Sequence, residues 1–267
     1  MIDVRRYGTA EHDVILLHGG PGAAGYMAPI ARELSDEFQV LEPLQRRSGN
    51  VPLTVARHVE DLRAVVTECC ARGAPAIVGS SWGAQLALAF AATHPTLTGP
   101  IVLVGPGTFT AASSAEFSRR LDDRRSTATK AAFERVSTGV ERDAALASEA
   151  EDLVGPYSYE PISASLELAW VDAQGTEETW GNFVQLRDEG VYPEAFRAIT
   201  VPVLMIHGDT DPHPGEMIRD SLLPVLPQLE YVELARCGHY PWLERFGRGP
   251  FFETLREWLS AHTTRRV

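Results

Sequence analysis

The chain has 267 residues, 44% hydrophobic and 22% charged, with 36 acidic against 24 basic side chains and a net charge of −12. That balance argues against a nucleic-acid partner or an anionic membrane surface, and the length suits a single large α/β domain. Cys69 and Cys70 are adjacent and Cys237 is distant, which is neither a disulfide framework nor a zinc spacing. Residues 1–12 hold no apolar leader, and no run approaches the roughly 20 apolar residues of a membrane span. A reducing, cytoplasmic location is therefore expected.

Short apolar runs alternate with helical periodicity along the chain, the pattern of a mostly parallel sheet covered on both faces. Val14-Ile15-Leu16-Leu17 reads as a buried strand ending at Gly19-Gly20-Pro21-Gly22, and Phe38-Gln39-Val40-Leu41 as a shorter one. Apolar positions at Val55, Val59, Leu62, Val65 and Val66 predict an amphipathic helix from Val55 to Cys69. Ala76-Ile77-Val78 is a strand entering Gly79. The nearly all-apolar helix after it, Trp82 to Ala92, must be buried on most sides, and it stops before Pro95. Pro100 to Val104 is the next strand.

From Gly107 to Ala198 no β-like run appears, and 17 acidic residues face 9 basic ones. Residues 107–198 are thus expected to be a helical cap inserted between two parts of a core domain, 1–106 and 199–267. Strands resume at Val201 to Ile206 and Val232 to Leu234. Pro250 to His262 is a closing helix with Phe251, Phe252, Leu255, Trp258 and Leu259 inward.

Three strand ends carry chemistry. Gly79-Ser80-Ser81-Trp82-Gly83 joins a strand to a helix, and a sharp turn between small residues lifts the central Ser81 away from the sheet as a nucleophile. An ordinary turn with two plain serines is the bland alternative. His18-Gly19-Gly20-Pro21-Gly22 can bring backbone donors to a developing oxyanion. The N–H groups of Gly20 and Trp82 are the expected donors, since Pro21 has none. A serine needs a base, and the base a carboxylate to fix its tautomer. His239, after the last strand, is the expected base; Asp209 and Asp211 both follow the strand ending at Ile206. His18, His207 and His213 lie near the same edge and are read as structural. His12, His58, His94 and His262 are read as surface or helix-end residues.

The segments HGGPG at 18–22, GSSWG and AQLALAFAATHP at 79–95, HGDTDPHP at 207–214 and GHYPWLE at 238–244 resemble the proline iminopeptidase-related branch of the α/β-hydrolase superfamily. Together they flank the insertion over about two-thirds of the chain. The resemblance implies an α/β-hydrolase fold and a Ser81, Asp211, His239 triad. Asp211 is implied over Asp209 because the superfamily's acid commonly stands three residues after a glycine, here Gly208. It also implies a serine hydrolase that cleaves a small-molecule ester or amide through an acyl-enzyme, a reaction that needs no metal or organic cofactor. Alternatives are a binding protein on the same fold with little turnover, and a carbon–carbon bond hydrolase or lyase.

The sequence departs from that branch at three places. No third glycine precedes the nucleophile, the Trp-x-x-Trp-Glu pattern of the branch's cap is missing, and Leu41 to Arg47 stands where relatives often read Asp-Gln-Arg-Gly. Core chemistry is implied, peptide specificity is not. Glu141 to Glu189 does hold 12 acidic and 2 basic residues interleaved with Tyr157, Tyr159, Trp170 and Trp180. Those carboxylates either bind a cationic amine beside aromatic faces or form a solvated surface.

Overall fold

The structure is a computed structural model that describes residues 2–70, 73–125, 154–163 and 165–263. Its centre is a seven-stranded sheet of β1 (Val4–Tyr7), β2 (Asp13–Leu17), β4 (Gln39–Pro43), β5 (Ala76–Ser80), β6 (Ile101–Val104), β8 (Val203–Gly208) and β9 (Leu229–Leu234). The spatial order is β1-β4-β2-β5-β6-β8-β9. Only the β1–β4 pair is antiparallel; every other neighbouring pair is parallel.

Alternation along the strands divides the core in two. Ile15, Leu17, Ile77, Ile101, Leu103, Val203 and Met205 face α2 (Val55–Cys69) and α3 (Trp82–Thr93). Val14, Leu16, Val78, Val102, Val104, Leu204 and Ile206 face α1 (Ala28–Leu34) and α8 (Arg248–Thr263) on the other side. Strands buried on both faces read as continuous apolar runs, which is why the sequence marked them. The α/β-hydrolase fold class is as expected, and α3 is buried on nearly every side, from Trp82 to Ala91.

Several elements left no comparable signal. β1 (VRRY) is an edge strand whose side chains are at most half-buried, so it lacks an apolar run. Between β6 and β8 the described elements are α4 (Ala111–Arg124), one turn α5 (Val154–Tyr157), α6 (Ala173–Asp188) and a 3₁₀ stretch Glu194–Ala198. Those described elements are helical, and one further element between β6 and β8 is not. The two-residue strand β7 (Trp170–Val171) pairs antiparallel with β3 (Ala23–Ala24), a ladder too short to show as periodicity. The helix α7 (Gly215–Leu222) follows β8. The acidic run from Glu141 to Asp152 lies outside the described residues. Among those described, no helix is long and apolar enough to cross a membrane, and the three cysteines are unpaired.

His58 corrects the sequence reading. It is not a surface residue but is 2% exposed, with Nε2 3.0 Å from Thr179 Oγ1 of α6. Its place on the α2 face toward α6 depends on contacts 121 residues apart, which local pattern does not encode. Burial lowers its pKa to about 4, and that of the fully buried His18 to about 4 as well. Unfolding therefore takes up protons between about pH 6.5 and pH 4, so stability falls as pH drops through that window, at up to about 1.4 kcal/mol per unit for each histidine. Thermal melting between pH 7.5 and 5 should show this loss, and His58→Leu should shallow the slope. An unchanged slope would contradict a neutral, buried His58.

Candidate active site

Gly79, next to last in β5, lies against the start of α3, where a Cβ would fall 2.2 Å from Gly83 O. A Cβ on Gly83 would fall 2.1 Å from Leu17 O on β2. Both glycines are thus required for helix and sheet to approach. Between them Ser81 adopts φ 54°, ψ −119°, a sparsely populated conformation that costs about 1–3 kcal/mol and clusters at functional sites. Its backbone N–H is held by Val104 O at 2.9 Å. Ser81 is half-buried, whereas Ser80 is fully buried.

The loop after β2 packs on this turn. Gly19 N–H donates to Tyr26 Oη, and Gly20 (φ 42°) lines the same cavity as Ser81 and Trp82. His18 fastens the loop from behind. Its Nδ1 donates to Gly19 O (3.0 Å) and its Nε2 accepts from Gln45 N–H (3.1 Å), one fixed neutral tautomer that fits the lowered pKa. Gln45 Nε2 donates to His18 O (2.8 Å), while its Oε1 accepts from Trp82 Nε1 (2.8 Å). Gln45 therefore ties the loop to the first residue of α3. The segment Leu41 to Arg47 that departs from the family pattern thus supplies a brace that the sequence reading missed.

The packing makes Gly19 a sensitive position. A Cβ there would meet Tyr26 Oη at 2.2 Å, Ser81 Cβ at 2.6 Å and Ser80 O at 2.7 Å. Gly19→Ala must displace either the loop or Ser81, and a shift near 1 Å costs about 100-fold in rate. We expect that fall in kcat in a protein that still melts cooperatively. A change under threefold would show that the loop does not bear on the nucleophile.

After β8 the chain turns with Asp211 N–H donating to Gly208 O (3.1 Å). This loop is bonded to the one after β9. Thr210 N and Oγ1 both donate to Cys237 O (3.0 and 2.8 Å), and Asp209 accepts from Arg236 N (3.0 Å) and Cys237 N (3.1 Å). The side chain of Asp209 thus points to backbone, and Asp211 alone faces the histidines. Asp211 Oδ2 lies 2.7 Å from His239 Nδ1, and Oδ1 accepts from His213 Nδ1 (2.9 Å) and His213 N (2.8 Å). His207 Nε2 is 3.5 Å from Oδ2. Burial opposes the Asp211 charge, but His239, His213 and His207 outweigh it and hold the carboxyl well below the usual carboxylate range.

With Nδ1 given to Asp211, the free Nε2 of His239 is the one able to take a proton. His213 stacks on the His239 ring (4.6 Å between centroids, 24°) and on Phe117 (4.1 Å, 16°). Burial lowers its pKa to about 4, so at neutral pH it adds a ring and a hydrogen bond without a charge. The sequence placed His213 near the edge but could not show that it shares Asp211 with His239. Asp211, His213 and His239 offer ligand atoms within 4.8 Å of one another. Both carboxylate oxygens are already taken by imidazole Nδ1 atoms, so the cluster suits a closed hydrogen-bond network better than a metal.

Glu244, fully buried, holds the His239 loop to the segment after α5. It accepts from Gly238 N (2.9 Å), Tyr159 N (2.7 Å) and Glu160 N (2.8 Å), and His239 N donates to Tyr157 O (2.8 Å). Ser81, Trp82, Gly20, His213 and His239 then share one cavity of about 200 Å³, closed by Phe117, Tyr157, Leu166 and Trp180. The structure thereby brings Ser81, His239, Gly20 and Trp82 together around one space, with Asp211 bonded to His239 behind it.

The described residues lining that space include no carboxylate. Four described carboxylates of the acidic stretch are engaged elsewhere: Asp172 caps α6 and binds Ser48, Glu178 accepts from Leu53 N, and Glu160 and Glu167 pair with Arg245 and Arg32.

Residues 14–248 match the model of the alpha/beta hydrolase family. No curated protein matches the chain. Similar solved structures include a malate-bound thermophilic esterase from Thermogutta terrifontis (20% identity, 98% of this chain and 94% of that one, TM-score 0.68). An esterase from Exiguobacterium antarcticum (18%, 97% and 95%, 0.68) and an enol-lactonase from Burkholderia xenovorans (19%, 97% and 96%, 0.63) are also similar. At such identity the likeness carries the fold, and the site must carry the chemistry.

Proposed function

The chain belongs to the alpha/beta hydrolase family, and from that premise we propose that it is a serine hydrolase cleaving a small-molecule ester or amide through an acyl-enzyme on Ser81. The observation that carries this reading is the His239–Asp211 pair, 2.7 Å apart and buried, opening onto the cavity that holds the strained Ser81. His239 Nε2 takes the Ser81 proton as Oγ attacks the carbonyl carbon, and the N–H groups of Gly20 and Trp82 receive the negative oxygen. His239 then protonates the leaving group. Water, deprotonated by the same nitrogen, releases the acid and restores Ser81. Asp211 keeps the imidazole in its Nδ1–H tautomer and stabilises the imidazolium. Residues 107–198 act as a cap over a core of 1–106 and 199–267, supplying Phe117, Tyr157, Leu166 and Trp180 to the cavity.

The resemblance to the proline iminopeptidase branch is retained for the core motifs alone. Aromatic walls without a described carboxylate favour an uncharged substrate over an aminoacyl cation, and the esterase and enol-lactonase among the similar structures support esters and lactones. A panel of short-chain aryl esters, lactones and aminoacyl arylamides tests the reading, with Ser81→Ala protein as control. Faster turnover of esters or lactones is expected, and fastest cleavage of aminoacyl arylamides would overturn the preference for an uncharged substrate.

A further inference from the structure

We propose that Gln85 reads the substrate, its amide oxygen accepting a hydrogen bond from an uncharged N–H or O–H group that the substrate carries within a few bonds of the scissile carbonyl. The inference rests on the reading of Ser81 as nucleophile. Gln85 is the fourth residue after Ser81, one helical turn or about 6 Å along α3. It is an amide in a helix that otherwise presents Trp, Gly, Ala, Leu and Phe until Thr93, and it is fully buried.

Its Nε2 donates to Thr108 O at 3.3 Å. Turning the amide over would set two carbonyl oxygens against each other, so this contact decides which end is oxygen. Oε1 then has no hydrogen-bond partner among the described residues. The side chain lies against Gly107, where a Cβ would fall 2.8 Å from Oε1, and both residues line the cavity with Ser81 and His239. A buried acceptor left without a donor is destabilising and calls for an explanation. A single long hydrogen bond leaves the amide able to swing about its broad terminal torsion toward a ligand.

The chemistry of the walls narrows the donor. A carboxylate or phosphate would meet the amide oxygen with like polarity. A cationic amine would find no described carboxylate in the lining, and burying its charge unpaired is costly. An amide N–H or a hydroxyl satisfies Oε1 without that cost, while Tyr26, Trp82, Phe117 and Trp180 enclose the apolar remainder. Sites built to hydrogen-bond a substrate group discriminate sharply against the analogue that lacks it.

Binding of two matched pairs of phenyl esters to the Ser81→Ala protein, measured by calorimetry, tests this. One pair is phenyl N-acetylglycinate and its N-methyl counterpart; the other is phenyl 3-hydroxybutyrate and its O-methyl ether. The donor-bearing member of at least one pair should bind about tenfold more tightly, and which pair responds separates N–H from O–H recognition. In Ser81→Ala/Gln85→Met protein the preference should vanish, with Gln85→Leu as the substitute if methionine impairs folding. Equal binding within both pairs, a preference that survives loss of Gln85, or no binding by any of the four probes would overturn the proposal. Fluorophosphonate labelling of the unaltered protein reads Ser81 independently, so either reading can fail while the other stands.

Discussion

Ser81→Ala is expected to lower kcat by about a million-fold on any ester the protein turns over, and to abolish labelling by a fluorophosphonate. The size of the effect follows from the geometry around the turn. Ser81 Oγ is the hydroxyl that the strained backbone (φ 54°) presents to the cavity, whereas Ser80 is fully buried beneath Tyr26. Without the nucleophile, His239 and Asp211 have no attacking atom to activate. What survives is the oxyanion loop, worth about 10³–10⁴ over water in serine hydrolases generally. The fold should be untouched, because alanine removes one half-buried hydroxyl and leaves Gly79 and Gly83 in place. Measuring kcat, labelling and melting temperature together separates chemistry from stability. Ser80→Ala should keep labelling. Covalent labelling that persists in Ser81→Ala would remove Ser81 as the nucleophile.

Asp211→Asn should lower kcat by about 10⁴-fold through the tautomer of a neighbouring ring. The Asp211 carboxylate accepts from His239 Nδ1 and from His213 Nδ1 and N. An asparagine offers one oxygen and one NH₂. The two His213 contacts hold the oxygen on their side, which turns the NH₂ toward His239 and moves the imidazole proton to Nε2. A His239 protonated at Nε2 cannot accept a proton from Ser81. Asp209→Asn is the control. Among the described residues the Asp209 side chain binds Arg236 N and Cys237 N, so its loss should cost about 1 kcal/mol of stability and less than tenfold in kcat. The reverse ranking of the two variants would make Asp209 the acid. Burial opposes the Asp211 charge, but His239, His213 and His207 outweigh it and hold the carboxyl well below the usual carboxylate range. The kcat–pH profile should therefore show no limb from Asp211 between pH 5 and 9.

Much of the fold was legible in the sequence because its signals are local. Strands buried on both faces print three or four apolar residues in a row, and β2, β5, β6 and β8 stand where those runs do. Glycine is the residue that lets α3 meet β5 and β2, so Gly79 and Gly83 are visible without coordinates. β1 was missed because an edge strand need not be apolar, and β7 because two residues have no period. His58 was misread because its burial comes from α6, far along the chain.

By itself, then, the sequence determined the α/β layering, the Ser81 turn, the glycine loop before it and the order of the candidate residues. These follow from spacing within about ten residues, where backbone sterics and side-chain size leave few options. Asp209 and Asp211 are two residues apart and chemically identical, so only the resemblance favoured Asp211, and tertiary structure shows that it is the one facing His239. The hydrogen bonds of Thr210 and Asp209 to the β9 loop turn one outward and the other in. It also decided that Gln45 braces Trp82, that Glu244 joins the His239 loop to residues 159 and 160, and that Gln85 Oε1 is left without a partner among the described residues. Each of these is a polar group satisfied, or left unsatisfied, by partners distant in the chain, and a pairing of that kind has no period to read.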